Sequence, residues 1–220
     1  MAFTHTLADP RVEAALDRMF AQAADDDAHY GRIRANRPPG PAPTSAQEQA
    51  DAAAEIYMPI SAEGGRLLYN LVRAVRPAGV VEFGMSFGIS TLHLAAAVRD
   101  NGTGHVFTTE LNEHKIATAG RTFTETGLAD VITVLEGDAL ATLEKLDAQV
   151  DLVLLDGWKD LCLPVLHLLE PRLKPGTLVI ADDVDQESMR PYLDHVRDPA
   201  NGYQSVTFPV EDGMEISCRL

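Results

Sequence analysis

Three carboxylates and one amine stand out for where the chain puts them: Asp156 and Lys159 in VDLVLLDGWKD, and Asp182 and Asp183 in TLVIADDVD. Each group follows a short apolar run, Val150 to Leu155 and Thr177 to Ala181. Such runs predict parallel strands buried on both faces, and open α/β sheets bind ligands in the crevice beyond the carboxyl ends of their strands. Carboxylates converging there can supply the oxygen ligands that a hard divalent cation such as Mg²⁺ takes while keeping several waters. A strand-end Asp also caps helices, which is the alternative for each one taken singly.

Strands of that kind need elements between them. Ser61 can cap a helix reaching about Arg76, Gly79 to Phe83 is apolar, and a glycine-rich turn then leads into a helix through Val98. Strand signals recur at His105 to Thr109 and Val131 to Leu135, with helical stretches between. The alternation predicts an α/β fold, a Rossmann-like doubly wound sheet with helices on both faces. YQSVTFPV and GMEISCRL, separated by a turn at Glu211 to Gly213, predict an antiparallel C-terminal hairpin. The sheet then has seven strands, five of them parallel.

Ahead of this body, Val12, Ala15, Leu16, Met19 and Phe20 recur at helical spacing within residues 10 to 30, before a break at the acidic Asp25 to Asp27. NRPPGPAPTS, from Asn36 to Ser45, cannot continue a helix. Residues 1–57 therefore read as a helical arm with a proline-rich linker or lid, and residues 58–220 as the main domain. Arg32, Arg34 and Arg37 border the linker and offer either an anion contact or a solvated basic surface.

VVEFGMSFGIS carries Glu82, Gly84 and Gly88 at the end of the first strand, just before a helix opening near Ser90. Glycine lets backbone approach a ligand closely. The spacing departs from the Gly-x-Gly-x-x-Gly that holds a pyrophosphate, since position 86 is Ser86 and Glu82 adds negative charge. A cationic or zwitterionic ligand suits this loop better. Glu110, closing the second strand, stands where α/β nucleoside sites use an acid to accept ribose hydroxyls. Asp138 either orients a base edge or caps the next helix.

The 220 residues include 45% hydrophobic types and carry a formal charge of −15, which opposes nucleic acid because affinity for phosphates rests on Lys and Arg. No run approaches a membrane span and no signal pattern opens the chain, so a cytoplasmic location is expected. Cys162 and Cys218 lack metal-type spacing and read as inert core thiols. His93 and His167 lie in helical stretches and read as structural, His114 as a cap or solvent contact, and none of the seven histidines is assigned to a metal.

From about Met58 to Leu220 these residues resemble the class I S-adenosylmethionine-dependent methyltransferases, and more narrowly the metal-dependent catechol and caffeoyl-CoA O-methyltransferases. The resemblance implies S-adenosylmethionine as methyl donor, with Glu82, Gly84, Ser86, Gly88 and Ser90 as its methionine loop and Glu110 as its ribose acid. Met58 and Ile60 would lie near the methyl donor, Asp138 and Ala139 by the adenine edge, and Trp158 against the ring. LLDGWKD is the most specific match: it implies Asp156 as an Mg²⁺ ligand and Lys159 as general base. ADDV implies Asp182 and Asp183 as the remaining ligands. The family has Asn where this chain has Asp183, and a catechol-binding Glu where this chain offers Phe208 or Val206, with Glu211 the nearest acid.

The implied reaction is an SN2 transfer of methyl to a hydroxyl of a small aromatic chelated to the metal, with Lys159 accepting the proton at a pKa depressed by the metal's positive charge and partial burial. A homodimer is implied as well. A metal-independent methyltransferase, an NAD-dependent oxidoreductase and a non-catalytic nucleoside-binding domain are the competing readings. EDTA sensitivity and donor binding separate them.

Overall fold

A computed structural model describes residues 5–36 and 45–220, so Arg37 and the proline-rich run through Thr44 lie outside the described residues. The sheet contains β1 (Gly79–Phe83), β2 (His105–Glu110), β3 (Ile132–Glu136), β4 (Leu152–Leu155), β5 (Leu178–Ala181), β6 (Tyr203–Phe208) and β7 (Met214–Arg219). Their order is β3-β2-β1-β4-β5-β7-β6. The first five are parallel, and β7 runs antiparallel between β5 and β6. β1 and β4 are buried at every position, because helices cover both faces of a parallel sheet.

The helices are α1 (Pro10–Ala23), α2 (Asp26–Asn36), α3 (Ala46–Ala52), α4 (Ala62–Val75), α5 (Ile89–Asn101), α6 (Glu113–Thr126), α7 (Ala139–Glu144), α8 (Cys162–Leu169) and α9 (Arg190–Arg197). Ser61 does cap α4, its side chain accepting from Gly64 N at 3.0 Å. α5 shows no apolar stripe because it is buried on almost every side. Its His93 lies where a Cβ on Gly65 of α4 would come within 2.5 Å of the ring, so only glycine allows that helix crossing. His93 Nδ1 pairs with Ile89 O at 2.8 Å and is structural, as expected.

The N-terminal segment is the expected helix and break, followed by a second helix that was not anticipated. Ala24 and Asp25 form the break, and the acidic patch opens α2 with Asp26 and Asp27 in the first turn, where carboxylates complement the helix dipole. Val12, Ala15, Leu16 and Met19 of α1 join the core that also holds Leu68, Leu92 and Phe123. Burying each of the larger three contributes about 1.5–3 kcal/mol. Arg18 of α1 also forks onto Glu125 of α6, with bonds of 3.0 and 2.9 Å. Arg32 is exposed on α2. α3 was not anticipated; Ser45 and Glu48 build its capping box.

Candidate active site

The carboxyl ends of β1 to β5 open into one cavity of about 470 Å³. At its β1–β3 end stand Gly84, Ser86, Ser90, Glu110, Asp138 and Ala139; at its β4–β5 end stand Asp156, Trp158, Lys159, Asp182 and Asp183. Met58 and Ile60, on the chain leading into α4, line it as well. Thus the sequence groups separated by up to 125 positions meet in one crevice.

Glu110 is held by three backbone donors: Leu111 N at 2.9 Å and Asn112 N at 2.8 Å on Oε1, and Ser86 N at 2.9 Å on Oε2. The last bond ties the β1 loop to the end of β2. Ser86 Oγ donates to Tyr57 O at 2.6 Å and accepts from Lys115 Nζ at 3.0 Å. Lys115 was not picked out from sequence. It is 2% exposed, lines the cavity, and burial lowers its pKa to about 8 against the attraction of Glu110 and Asp26. Asp26 of α2 in turn accepts from Tyr57 N and Met58 N at 2.9 and 2.8 Å, fastening the helical arm to this end of the cavity. Nothing local marks Lys115, since its position five residues after Glu110 gains meaning only once α6 folds against the β1 loop.

Two expected donor-site residues sit behind the wall. Glu82 and Gly88 do not line the cavity. Glu82 is fully buried; its Oε2 accepts from Thr91 and Thr108, while Oε1 has no partner. Burial raises its pKa to about 7, against the opposing effect of the hydroxyls around it. The space beside Gly84 is taken by Asp156 O and Gly157, 2.6 Å from where a Cβ would stand, and that beside Gly88 by the Phe123 ring at 2.7 Å. Both glycines also have positive φ, 100° and 93°. Their role in this fold is close approach of chain to chain. Asp138 accepts from Leu140 N at 2.9 Å, capping α7 while its residue borders the cavity.

At the other end Lys159 Nζ lies 2.9 Å from Asp156 Oδ1 and 3.0 Å from Asp183 Oδ2. Burial pulls its pKa down, but the two carboxylates outweigh that and hold the ammonium above its ordinary value. The direction is opposite to the depressed pKa expected for a base, and the cause is the double ion pair. Asp182 is buried, its Oδ1 lacks a partner, and burial together with Asp156 and Asp183 pushes its pKa up to about 8. Among the described residues the acidic trio does not gather to within 4.8 Å as a three-ligand set. An orphaned buried oxygen, a raised carboxyl and an all-oxygen donor set nevertheless fit a divalent cation. Glu211 accepts from Ser61 N and also borders this end. Cys162 is buried and its thiol pushed up to about 12, chiefly by burial.

A parallel sheet in the order 3-2-1-4-5 with an antiparallel strand inserted before the last, and a crevice carrying an acid at the end of β2, define a Rossmann-like class I methyltransferase. Residues 81–184 match a methyltransferase domain family. Catechol O-methyltransferase of Sus scrofa is 31% identical over 150 residues, covering 65% of this chain and 80% of that protein. Catechol O-methyltransferase B of Danio rerio is 29% identical over 180 residues, covering 76% and 67%. An SAH-bound methyltransferase of Podospora anserina superposes with TM-score 0.64 at 22% identity, over 93% of this chain and 94% of that one. The chain belongs to the class I S-adenosylmethionine-dependent O-methyltransferases of the catechol O-methyltransferase type. Among the described residues no helix is long and apolar enough to cross a membrane.

Proposed function

We propose that this protein methylates a hydroxyl of a small catechol-like aromatic, with the donor lying along the ends of β1 to β3 and the acceptor between Trp158 and the Asp156, Asp182 and Asp183 group. The supporting observation is the single cavity that joins Glu110 at one end to Lys159 at the other. Glu110 has both oxygens anchored by backbone N–H groups, so it presents a fixed carboxylate to the ribose hydroxyls. Ser86 and Ser90 offer hydroxyls beside the methionine portion. Trp158, Met58 and Ile60 line the same cavity, where they would exclude water and keep attacking oxygen, methyl carbon and sulfur in line.

Asp156, Asp182 and Asp183 would hold a divalent cation. Such an ion, when bound, lowers the pKa of an acceptor hydroxyl and orients it. Lys159 Nζ can receive the hydroxyl proton only after losing its own, and parting from Asp156 and Asp183 removes the attraction that keeps that proton in place. A second reading, transfer without a metal, is favoured by the Lys159 ammonium already satisfying two of the three carboxylates. In it the ammonium stabilises the developing oxyanion directly.

The test is methyl transfer from labelled S-adenosylmethionine to a panel of catechols, with Mg²⁺ or EDTA, for wild type and Asp156→Ala. Transfer abolished by EDTA and by the substitution supports the metal reading, and transfer that survives EDTA supports the second. A panel that stays unmethylated while the donor binds would overturn the acceptor assignment.

A further inference from the structure

The sheet end away from the cavity carries a cluster that the reaction does not use. His167 and Glu170 are three apart across the end of α8, a spacing that puts both on one helical face. His195, in the last turn of α9, meets them from the neighbouring helix. Its Nε2 lies 2.7 Å from Glu170 Oε1, and its ring stands edge-on to that of His167 with centroids 4.8 Å apart. Among the described residues this is the one group of His, Cys, Asp or Glu whose ligand atoms all lie within 4.8 Å of one another.

The surroundings of the cluster are built. The His195 and Glu170 side chains are only 18% and 21% exposed, whereas His167 faces solvent. Tyr203, opening β6, donates its hydroxyl to Glu170 Oε1 at 2.9 Å. The Asn201 amide donates to His195 O at 2.9 Å and lies 3.3 Å from Nδ1, fixing the ring. Metal-binding imidazoles and carboxylates are supported in this way by outer partners that orient them.

We infer that His167, Glu170 and His195 form a second metal site, independent of the proposed reaction and selective for a borderline divalent ion such as Zn²⁺. Two imidazole nitrogens and one carboxylate suit Zn²⁺ with water in the fourth position, while the all-oxygen acids of the cavity suit Mg²⁺. Binding through Nε2 uses the His195 tautomer that carries its proton on Nδ1, and the ion takes the place of the contact between Nε2 and Glu170 Oε1. The ion would clamp α8, which follows the Asp156–Lys159 loop, to α9, which follows Asp182 and Asp183.

The experiment uses the full chain stripped with chelator, then titrated with Zn²⁺ against a chromophoric competitor and with Co²⁺ for its visible d–d band. Variants are His167→Ala, His195→Gln, Tyr203→Phe and, to weaken the cavity's own acidic group, Asp182→Ala. The expected result is one tetrahedral Co²⁺ site per chain, distinct from any ion held by the cavity acids, kept in Asp182→Ala and lost in both histidine variants. Tyr203→Phe should bind roughly tenfold more weakly. His167 is exposed, so His167→Ala keeps the fold and stays informative if His195→Gln does not. Binding unchanged in His167→Ala, or wild type that leaves all ion with the competitor, overturns the site.

Discussion

Glu82→Gln tests whether the acid beneath the β1 loop is a buried proton store. In the folded protein burial lifts Glu82 from its ordinary 4.5 to about 7. Between those values the folded chain holds a proton that the unfolded chain has released, so wild-type stability falls as pH rises through that window and levels off above it. At about 1.4 kcal/mol per tenfold change in proton affinity, the fall amounts to about 3 kcal/mol. Gln cannot titrate, and its carbonyl can still accept from Thr91 and Thr108. Its amide group inherits the unpartnered place of Oε1, which shifts the variant by a constant but adds no pH dependence. Urea unfolding of both proteins at pH 4.5, 6, 7 and 8 would measure the difference. Relative to wild type, the variant should gain about 3 kcal/mol from the lowest pH to the highest. Parallel pH curves for the two proteins would refute the buried-acid argument.

Three other substitutions separate the remaining roles. Lys159→Met should lower kcat by roughly 100-fold or more while leaving the affinity for S-adenosylmethionine near wild type; turnover near normal would remove Lys159 from both readings, as proton acceptor in the first and as oxyanion partner in the second. Lys115→Met removes the donor to Ser86 Oγ, about 1 kcal/mol, so calorimetry should show donor binding about fivefold weaker with kcat little changed. Gly88→Ala places a Cβ 2.7 Å from the Phe123 ring at a φ of 93°. It should cost about 2 kcal/mol of stability in chemical denaturation, and an unchanged midpoint would show that the α6 ring yields freely.

The sequence determined the elements and the residue sets. The buried strands β1, β4 and β5 are short apolar runs because a sheet covered on both faces needs no alternation. The strand-end acids, the Gly-containing loop and LLDGWKD were legible because each is a local string. Edges drifted by a residue or two, as at β4, which begins at Leu152 and not Val150. The second helix of the arm was missed because the acids at Asp26 and Asp27 read as part of the break, although carboxylates also favour the start of a helix.

Tertiary structure decided what depends on distance through space. It put β7 between β5 and β6, withdrew Glu82 and Gly88 from the cavity wall, and brought Lys115 to Ser86 across 29 positions. It also decided the charge balance at Lys159, since burial and ion pairing act on the amine in opposite senses and the positions of Asp156 and Asp183 make pairing prevail. His167 and His195 look like separate helical residues until α8 and α9 pack. Secondary structure follows from backbone sterics and side-chain periodicity within one segment, whereas charge states and ligand sets follow from which segments meet.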